Sequence, residues 1–233
     1  MDKAVEKFQS ESSVCKPADH APCPRGERAL LCIDLQYLGC TEGFGFLESH
    51  RQSGVKEAII QSYLKRLKQT VLPNVARLQD IFRRHGLEVI HFHIQSLTGD
   101  GRDRSPEHKR LGLHAPPGSR QAAFLPEVAP KGDEIVFSKT ASGVFISTNL
   151  EYVLRNLCIT DLFITGVYTN ECISSAVRGA CDLGFQVTLA ADGTAAITRE
   201  LHEASLLTLH NRYGKVRSTD DIIRSLKEEI KQE

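Results

Sequence analysis

Short apolar runs alternate with amphipathic helical patterns along most of this chain, and this alternation constrains the fold more than any other feature. The runs lack the polar alternation of a half-solvated strand, which is typical of strands buried on both faces. They are ALLCID (29–34), LEVIHFHI (87–94), EIVF (134–137), DLFIT (161–165), QVTLAA (186–191) and the short candidate 215–216. The sequence therefore predicts an α/β fold, with one doubly wound sheet of about six parallel strands and helices on both faces.

The remaining segments predict the domain organisation. Residues 1–27 are polar and proline-containing, which indicates an N-terminal arm before one domain at 28–233. Residues 95–132 show no clear periodicity and are rich in Gly, Pro and charge, as loops that act as lids often are. The stretch 41–70 is interpreted as an insertion that covers the site or forms a subunit contact.

Charge and cysteine content exclude several classes of function. Lys plus Arg number 29 and Asp plus Glu number 29, so there is no electrostatic reason to expect nucleic acid or an anionic membrane as partner. No apolar run approaches the roughly 18 residues of a membrane helix, and the polar N-terminus does not resemble a secretory signal. We therefore expect a cytoplasmic protein. Seven cysteines without a CxxC pair suggest neither a disulfide framework nor a thiolate zinc site.

Three titratable residues fall near the carboxyl ends of predicted strands, where open α/β sheets bind their ligands. Asp34 ends the first strand, Lys139 lies two residues past the third, and Cys172 follows the fourth. An acid, an amine and a thiol form a coherent nucleophilic set. Each also has a structural interpretation: a strand-end acid that caps a loop, a solvated lysine and a buried structural cysteine.

Cys172 carries the strongest individual signal. The segment ITGVYTNECISSAVRGACDLG runs from a strand through a tight turn into a helix. A cysteine in the first helical turn feels the positive end of the helix dipole, which favours the thiolate together with a nearby ammonium such as Lys139. Unpaired N–H groups in the same turn are candidates for an oxyanion hole.

Three segments resemble the isochorismatase-like cysteine hydrolases, a group that includes nicotinamidases, N-carbamoylsarcosine amidases, ureidoacrylate amidohydrolases and biuret hydrolases. The segments are ALLCIDLQ, FSKTASGVFISTNLEYVL and FITGVYTNECISSAVRGACDLGFQVTLAADGTAA. The resemblance spans roughly residues 28–217 and implies a single six-stranded domain that forms homo-oligomers, dimers or tetramers. It also implies a catalytic set of Asp34, Lys139 and Cys172, a non-proline cis peptide between Val167 and Tyr168, and an oxyanion hole formed by the amides of Tyr168 and Cys172.

Two comparisons within this group narrow the expected chemistry. Isochorismatases proper, which cleave a vinyl ether, lack the nucleophilic cysteine, so Cys172 favours amide or ureide hydrolysis. Nicotinamidases carry an Asp and two His as zinc ligands after the second strand. The polar residues Asp100, Asp103, His108 and His114 of this chain do not align onto that pattern, and His91 and His93 are interpreted as structural. We therefore predict neither a metal nor another cofactor.

The predicted substrate is a small-molecule amide or ureide. Arg102 and Arg104 are candidates to clamp a substrate carboxylate. Gln36 and Asn149 are candidates to hydrogen-bond a ureido group, and Phe145 is a candidate pocket wall, along with Phe44, Phe46 and Tyr168. The predicted function is C–N hydrolysis through a Cys172 thioester. The alternatives are a vinyl-ether hydrolase, a thiol-dependent redox protein, or a catalytically silent small-molecule-binding protein on the same fold.

Overall fold

Six parallel strands form one sheet, as the sequence predicts. The computed structural model describes residues 27–230, so the predicted arm at 1–27 lies almost wholly outside the described residues. The strands are β1 Arg28–Ile33, β2 Glu88–Ile94, β3 Ile135–Lys139, β4 Asp161–Val167, β5 Gln186–Ala195 and β6 Lys215–Arg217. Their order is β3-β2-β1-β4-β5-β6, and every neighbouring pair is parallel. The fold class is therefore confirmed.

Helices cover both faces of this sheet. The α-helices are α1 Tyr37–Cys40, α2 Gly45–Gln52, α3 Glu57–Arg66, α4 Leu72–Arg84, α5 Pro106–Arg110, α6 Val144–Ser147, α7 Leu150–Asn156, α8 Ser174–Asp182, α9 Arg199–Leu209 and α10 Thr219–Ile230. Two π-helical turns, at Leu67–Val71 and Thr169–Ile173, lead into α4 and α8. Among residues 27–230, none of these helices is both long enough and apolar enough to cross a membrane.

The central position of β1 explains its uninterrupted apolar sequence. Leu30 and Cys32 pack into the core that includes α4 and α10, whereas Leu31 and Ile33 pack into the core that includes α8. Successive side chains of a strand point to opposite faces, so a strand covered on both sides needs apolar residues at every position.

The sheet changes winding direction between β1 and β4, and the crevice at this switch point is where such folds bind ligands. Gly166 lets the two strands approach closely there. Its φ is +119°, and a Cβ at this position would lie 1.9 Å from the Ile33 carbonyl oxygen. Only glycine is compatible with that contact.

The 95–132 segment is more ordered than its sequence suggests. It contains α5 and two 3₁₀ turns, Arg120–Ala122 and Pro126–Val128. Backbone hydrogen bonds join it to the sheet end, from Ser105 N–H to the Thr140 carbonyl and from Leu125 N–H to the Leu35 carbonyl. Fixed backbone contacts therefore hold the segment against the carboxyl ends of β1 and β3.

Candidate active site

Asp34, Lys139 and Cys172 meet at the carboxyl ends of the strands. Lys139 Nζ lies 2.9 Å from Asp34 Oδ2 and donates to Cys172 Sγ at 3.3 Å. The three residues are 5%, 0% and 4% exposed, respectively. An ammonium thus lies between a carboxylate and a thiol, almost out of contact with water.

Asp34 occupies the first position after β1, in a left-handed backbone conformation with φ of 58°. Its N–H donates to the Phe92 carbonyl at 2.9 Å, which continues the pairing with β2 and fixes the backbone. Within residues 27–230, neither carboxylate oxygen has a hydrogen bond of good geometry, although Oδ2 forms the ion pair with Lys139. The carboxylate therefore retains lone pairs that can accept a proton.

Lys139 is the last residue of β3, not two residues beyond it as the sequence suggested, so its side chain starts inside the sheet. Besides Asp34 and Cys172, its Nζ contacts the Ala141 carbonyl at 3.1 Å. Burial by itself would lower the pKa of Lys139, but attraction to Asp34 and then to Cys172 outweighs burial and raises it. Lys139 is consequently a fixed positive charge and not a proton donor near neutral pH.

Cys172 lies in the π-helical turn between β4 and α8. Burial raises the pKa of its thiol above the usual 9.0, the Asp34 carboxylate raises it further, and Lys139 opposes both. This rise runs against the expectation that the helix dipole and Lys139 would favour a resting thiolate, because the removal of the thiolate charge from water outweighs the attraction of Lys139.

A narrow cavity opens onto this group and contains about 270 Å³ of space between atoms, including its mouth. Its walls combine apolar side chains with carboxylates and the thiol. The lining residues are Asp34, Gln36, Leu38, Gly39, Phe46, Ile94, Val167, Tyr168, Glu171 and Cys172. Apolar walls with a few convergent polar groups are the composition expected of a site for a small organic molecule.

Tyr168 connects the cavity to a cluster of aromatic rings. The Val167–Tyr168 peptide is cis, as the sequence resemblance implies. The Tyr168 ring packs edge-on against Phe46 and Tyr63, with centroids 5.1 and 5.2 Å away. Tyr63 and Tyr168 both donate a hydroxyl hydrogen bond to the Gly39 carbonyl, at 2.9 and 3.3 Å. These contacts fix the Tyr168 side of the cavity wall.

The isochorismatase domain model matches residues 28–221, which include the whole sheet and the three candidate residues. The chain belongs to the isochorismatase family. It is 25% identical to the ureidoacrylate amidohydrolase RutB of Rhizobium rhizogenes, over 93% of this chain and 89% of that protein. It is 27% identical to an N-carbamoylsarcosine amidase from an Arthrobacter species, over 68% of this chain and 62% of that one.

A solved structure of a cysteine hydrolase from Pseudomonas syringae has the same fold. The two superpose with a TM-score of 0.72, over 92% of this chain and 99% of that one, at 18% sequence identity. This isochorismatase-family protein is therefore a hydrolase by family, with amidohydrolases among its relatives.

Of the five residues predicted to bind substrate, only Gln36 lines the cavity. Gln36 lines the cavity, but its Nε2 donates to the Ile94 and Gln121 carbonyls at 3.0 and 2.9 Å, and its Oε1 accepts the Ile94 N–H at 2.6 Å. Both amide hydrogens are thus used within the protein. Asn149 is an exposed residue at the start of α7, and Phe145 packs against Phe185 with ring centroids 6.2 Å apart. Neither Asn149 nor Phe145 lines the cavity.

The predicted arginine clamp also lies outside the cavity lining. Arg102 is 73% exposed and pairs with Asp100 at 3.2 Å. Arg104 donates to the carbonyls of Gly101 and Leu113, at 2.9 and 2.7 Å. Both guanidinium groups bind acceptors within the same loop, so they stabilise the loop and do not reach the cavity.

No metal cluster is evident in the part of the chain that the structure describes, where no three His, Cys, Asp or Glu side chains are grouped suitably. Asp103 instead accepts hydrogen bonds from the N–H groups of Leu97 and Thr98 and from the Thr98 hydroxyl. His93 bonds to the Ala122 carbonyl and to the Ser138 hydroxyl, in a structural arrangement.

Sequence reasoning missed two features of the site. Glu171, adjacent to Cys172, lines the cavity, and its position within the motif NEC was a signal that could have identified it. Behind the π-helical turn, the Thr169 hydroxyl lies 2.8 Å from His202 Nδ1, and Arg66 donates to His202 Nε2 at 3.0 Å. These three residues are far apart in sequence, and no local pattern connects them.

Proposed function

We propose that this protein is a cysteine amidohydrolase that cleaves a C–N bond of a small amide or ureide. The observation that carries the proposal is the placement of Lys139 Nζ within 2.9 Å of Asp34 and 3.3 Å of Cys172 at a small cavity. Membership of a hydrolase family with amidohydrolase relatives supports the same reaction class.

The first step is attack on the substrate carbonyl. Asp34 accepts the proton of the Cys172 thiol, since its carboxylate oxygens have no competing hydrogen bond among residues 27–230. Sγ then forms a bond to the carbonyl carbon. Lys139 stabilises the negative charge, first on the Asp34 carboxylate and then on the Cys172 thiolate. The N–H groups of Tyr168 and Cys172 are the proposed donors to the resulting oxyanion.

The second step releases the amine and then the acid. Protonated Asp34 returns its proton to the leaving nitrogen as the C–N bond breaks, which leaves a Cys172 thioester. Water then loses a proton to Asp34 and attacks the thioester, and the thiol is restored when that proton returns to sulfur. The cycle consumes one water and needs no oxidant, reductant or cofactor.

The predictions of a homo-oligomer and of a cytoplasmic location stay predictions. The chemistry proposed here requires only the small-molecule substrate and water.

The direct test is ammonia release from a panel of small primary amides and ureides. We expect turnover in the unmodified protein and a loss of at least about 10⁴-fold in Cys172→Ala, because covalent catalysis loses its nucleophile. Mass spectrometry of a rapidly quenched reaction should show an acyl adduct on the peptide containing Cys172. Cys181→Ala, at a half-buried cysteine outside the cavity lining, is the matched control and should retain activity.

Three other outcomes separate the alternatives. Full turnover by Cys172→Ala contradicts the proposal outright. Ligand binding without product, in a protein that is otherwise folded, indicates the silent-scaffold alternative. A sulfenic acid or mixed disulfide at Cys172 without ammonia release indicates redox chemistry.

A further inference from the structure

The charged side chains that line the cavity are both acidic. They are Asp34 and Glu171. Lys139 neutralises Asp34 through the 2.9 Å ion pair. Within residues 27–230, Glu171 forms no salt bridge of its own, so the cavity presents a second carboxyl group without an ion-pair partner next to the candidate nucleophile.

Glu171 is also nearly free of hydrogen bonds. Within residues 27–230, its side chain accepts one weak bond, from Asn170 Nδ2 at 3.4 Å. The Asn170 Oδ1 atom is buried and has no partner there. Burial of a polar atom without a partner costs free energy, so this corner of the site is short of N–H donors.

The electrostatic surroundings reinforce this shortage. Burial raises the pKa of Glu171 above its usual 4.5, and the nearby Glu107 and Asp34 raise it further, whereas the bond from Asn170 and the attraction to Lys139 oppose the rise without cancelling it. The arginines expected to bind a substrate carboxylate face their own loop. A carboxylate placed beside Glu171 would meet a second carboxyl group, and the nearby ammonium of Lys139 is already paired with Asp34.

We propose that Glu171 is a specificity-determining residue that accepts hydrogen bonds from an N–H-rich end group of the substrate, ureido or ammonium, and disfavours a carboxylate there. This inference rests on the proposed amidohydrolase function. It replaces the expectation of a carboxylate clamp formed by Arg102 and Arg104.

The test uses primary amides that share one skeleton and differ at the far end. Suitable members are 3-ureidopropanamide, β-alaninamide, pentanamide and succinamate, whose ends are ureido, ammonium, ethyl and carboxylate. The readout is kcat/KM for formation of each carboxylic acid product, followed by mass spectrometry and divided by the value for pentanamide, so that cleavage of the ureido group itself is not counted. This ratio cancels any effect of Glu171 on the reactivity of Cys172, because such an effect is common to all four.

We expect the unmodified protein to prefer the ureido and ammonium amides over pentanamide and to use succinamate least. Glu171→Gln should lower the preference for the better of the two N–H-bearing amides by about 10- to 100-fold, the size of one charge-assisted hydrogen bond. The loss should appear mainly in KM, and succinamate should improve relative to pentanamide. Glu151→Gln is the matched control. It removes the same charge from a side chain outside the cavity lining that pairs with Arg155 at 3.6 Å, and should change the ratios less than about twofold.

Failure of this inference is distinguishable from failure of the proposed function. If the unmodified protein hydrolyses amides but prefers succinamate, or if Glu171→Gln leaves all ratios unchanged, the specificity proposal is overturned and the amidohydrolase function stands. If none of these or the wider panel of amides is hydrolysed in a Cys172-dependent manner, the proposed function itself fails.

Discussion

The two ends of β3 each carry a partly or fully buried ion pair, and the two pairs are built differently. Glu134 immediately precedes the strand and pairs with Arg83, whereas Lys139 ends it and pairs with Asp34. Both pairs join β3 to neighbouring parts of the fold. They differ in how completely their hydrogen-bonding capacity is used.

The pair at the amino end is saturated. Arg83 reaches both oxygens of Glu134, at 2.6 and 2.9 Å, in a bidentate arrangement. His91 Nε2 lies 2.8 Å from the same carboxylate, and the Lys131 N–H donates to it at 2.9 Å. Such a carboxylate has little capacity left for another donor, which is typical of a structural ion pair.

The pair at the carboxyl end is unsaturated. Within the described residues, the Asp34 oxygens accept no well-directed hydrogen bond, and Lys139 shares its donors with the Cys172 thiol. An incomplete set of partners in a buried position costs stability, and it leaves the groups free to exchange protons. We therefore expect saturation of the hydrogen-bonding groups, together with burial, to distinguish the structural ion pair from the proposed catalytic one in this fold.

The sharpest test of this comparison neutralises each carboxylate in turn. Asp34→Asn should lower kcat/KM by about 10²- to 10⁴-fold, because the proposed general base is lost. It should also destabilise the fold by about 3–5 kcal/mol, because Lys139 becomes an unpaired buried charge. Glu134→Gln should leave kcat/KM within about twofold and cost only about 1–3 kcal/mol, since Arg83 remains partly solvated. Amide hydrolysis and urea unfolding measure both effects.

The comparison breaks if the two substitutions behave alike. An active Asp34→Asn protein, or a Glu134→Gln protein that is folded but inactive, would mean that saturation does not identify the reactive pair.

The thiol pKa gives a second test at the carboxyl end. Burial and then Asp34 raise the pKa of Cys172, so alkylation by iodoacetamide should titrate above 9.0 in the free protein. Asp34→Asn should lower this apparent pKa, and Lys139→Met should raise it. Peptide mapping provides an internal reference in Cys32, whose pKa is raised to about 11 mainly by burial, and which neither substitution should affect. A Cys172 pKa below 9.0 would indicate a preformed thiolate and contradict this account.

Acid unfolding gives a test at the amino end. Burial by itself would raise the pKa of Glu134, but bonds from Arg83, Lys131 and His91 outweigh it, and the net pKa is lowered from 4.5. A lowered folded-state pKa adds stability above the unfolded value, and this stability is lost as the pH falls through the folded-state value. The free energy of unfolding should therefore fall more steeply below pH 4.5 in the unmodified protein than in Glu134→Gln. Equal slopes would show that the saturated pair does not contribute.

The smallest expected effect concerns the loop charges. Arg102 is 73% exposed and pairs only with the neighbouring Asp100 among the described acidic side chains. Arg102→Ala should change kcat/KM by less than about twofold and stability by less than about 1 kcal/mol. Steady-state kinetics with each amide of the panel checks this. A large rise in KM for succinamate alone would show that Arg102 binds the substrate carboxylate, and it would argue against the proposed role of Glu171.

Much of the fold was predictable from local sequence. The run around Leu31 is apolar at every position, and a helical pattern follows most of the apolar runs. Strands of this kind must be covered on both faces, so few folds other than a doubly wound parallel sheet are compatible with the sequence. The position of Asp34 at a strand end followed from the same pattern. The same pattern predicts that Lys139 lies just beyond β3, whereas it is the last residue of that strand, because the end of a short strand is weakly marked in sequence.

Tertiary packing determined the state of each candidate group. The sequence suggested a lowered pKa for Cys172 from the dipole and the lysine, but only the folded structure shows how far burial removes the thiol from water. Tertiary packing likewise directs Arg104 towards the Leu113 carbonyl and places Glu171 in the cavity wall. Sequence by itself determined which strands form and which polar residues follow them, because those depend on local periodicity. The burial of a polar group and its hydrogen-bond partners depend on residues that are distant in the chain. Only the tertiary structure therefore decided which of these polar groups retain free hydrogen-bonding capacity.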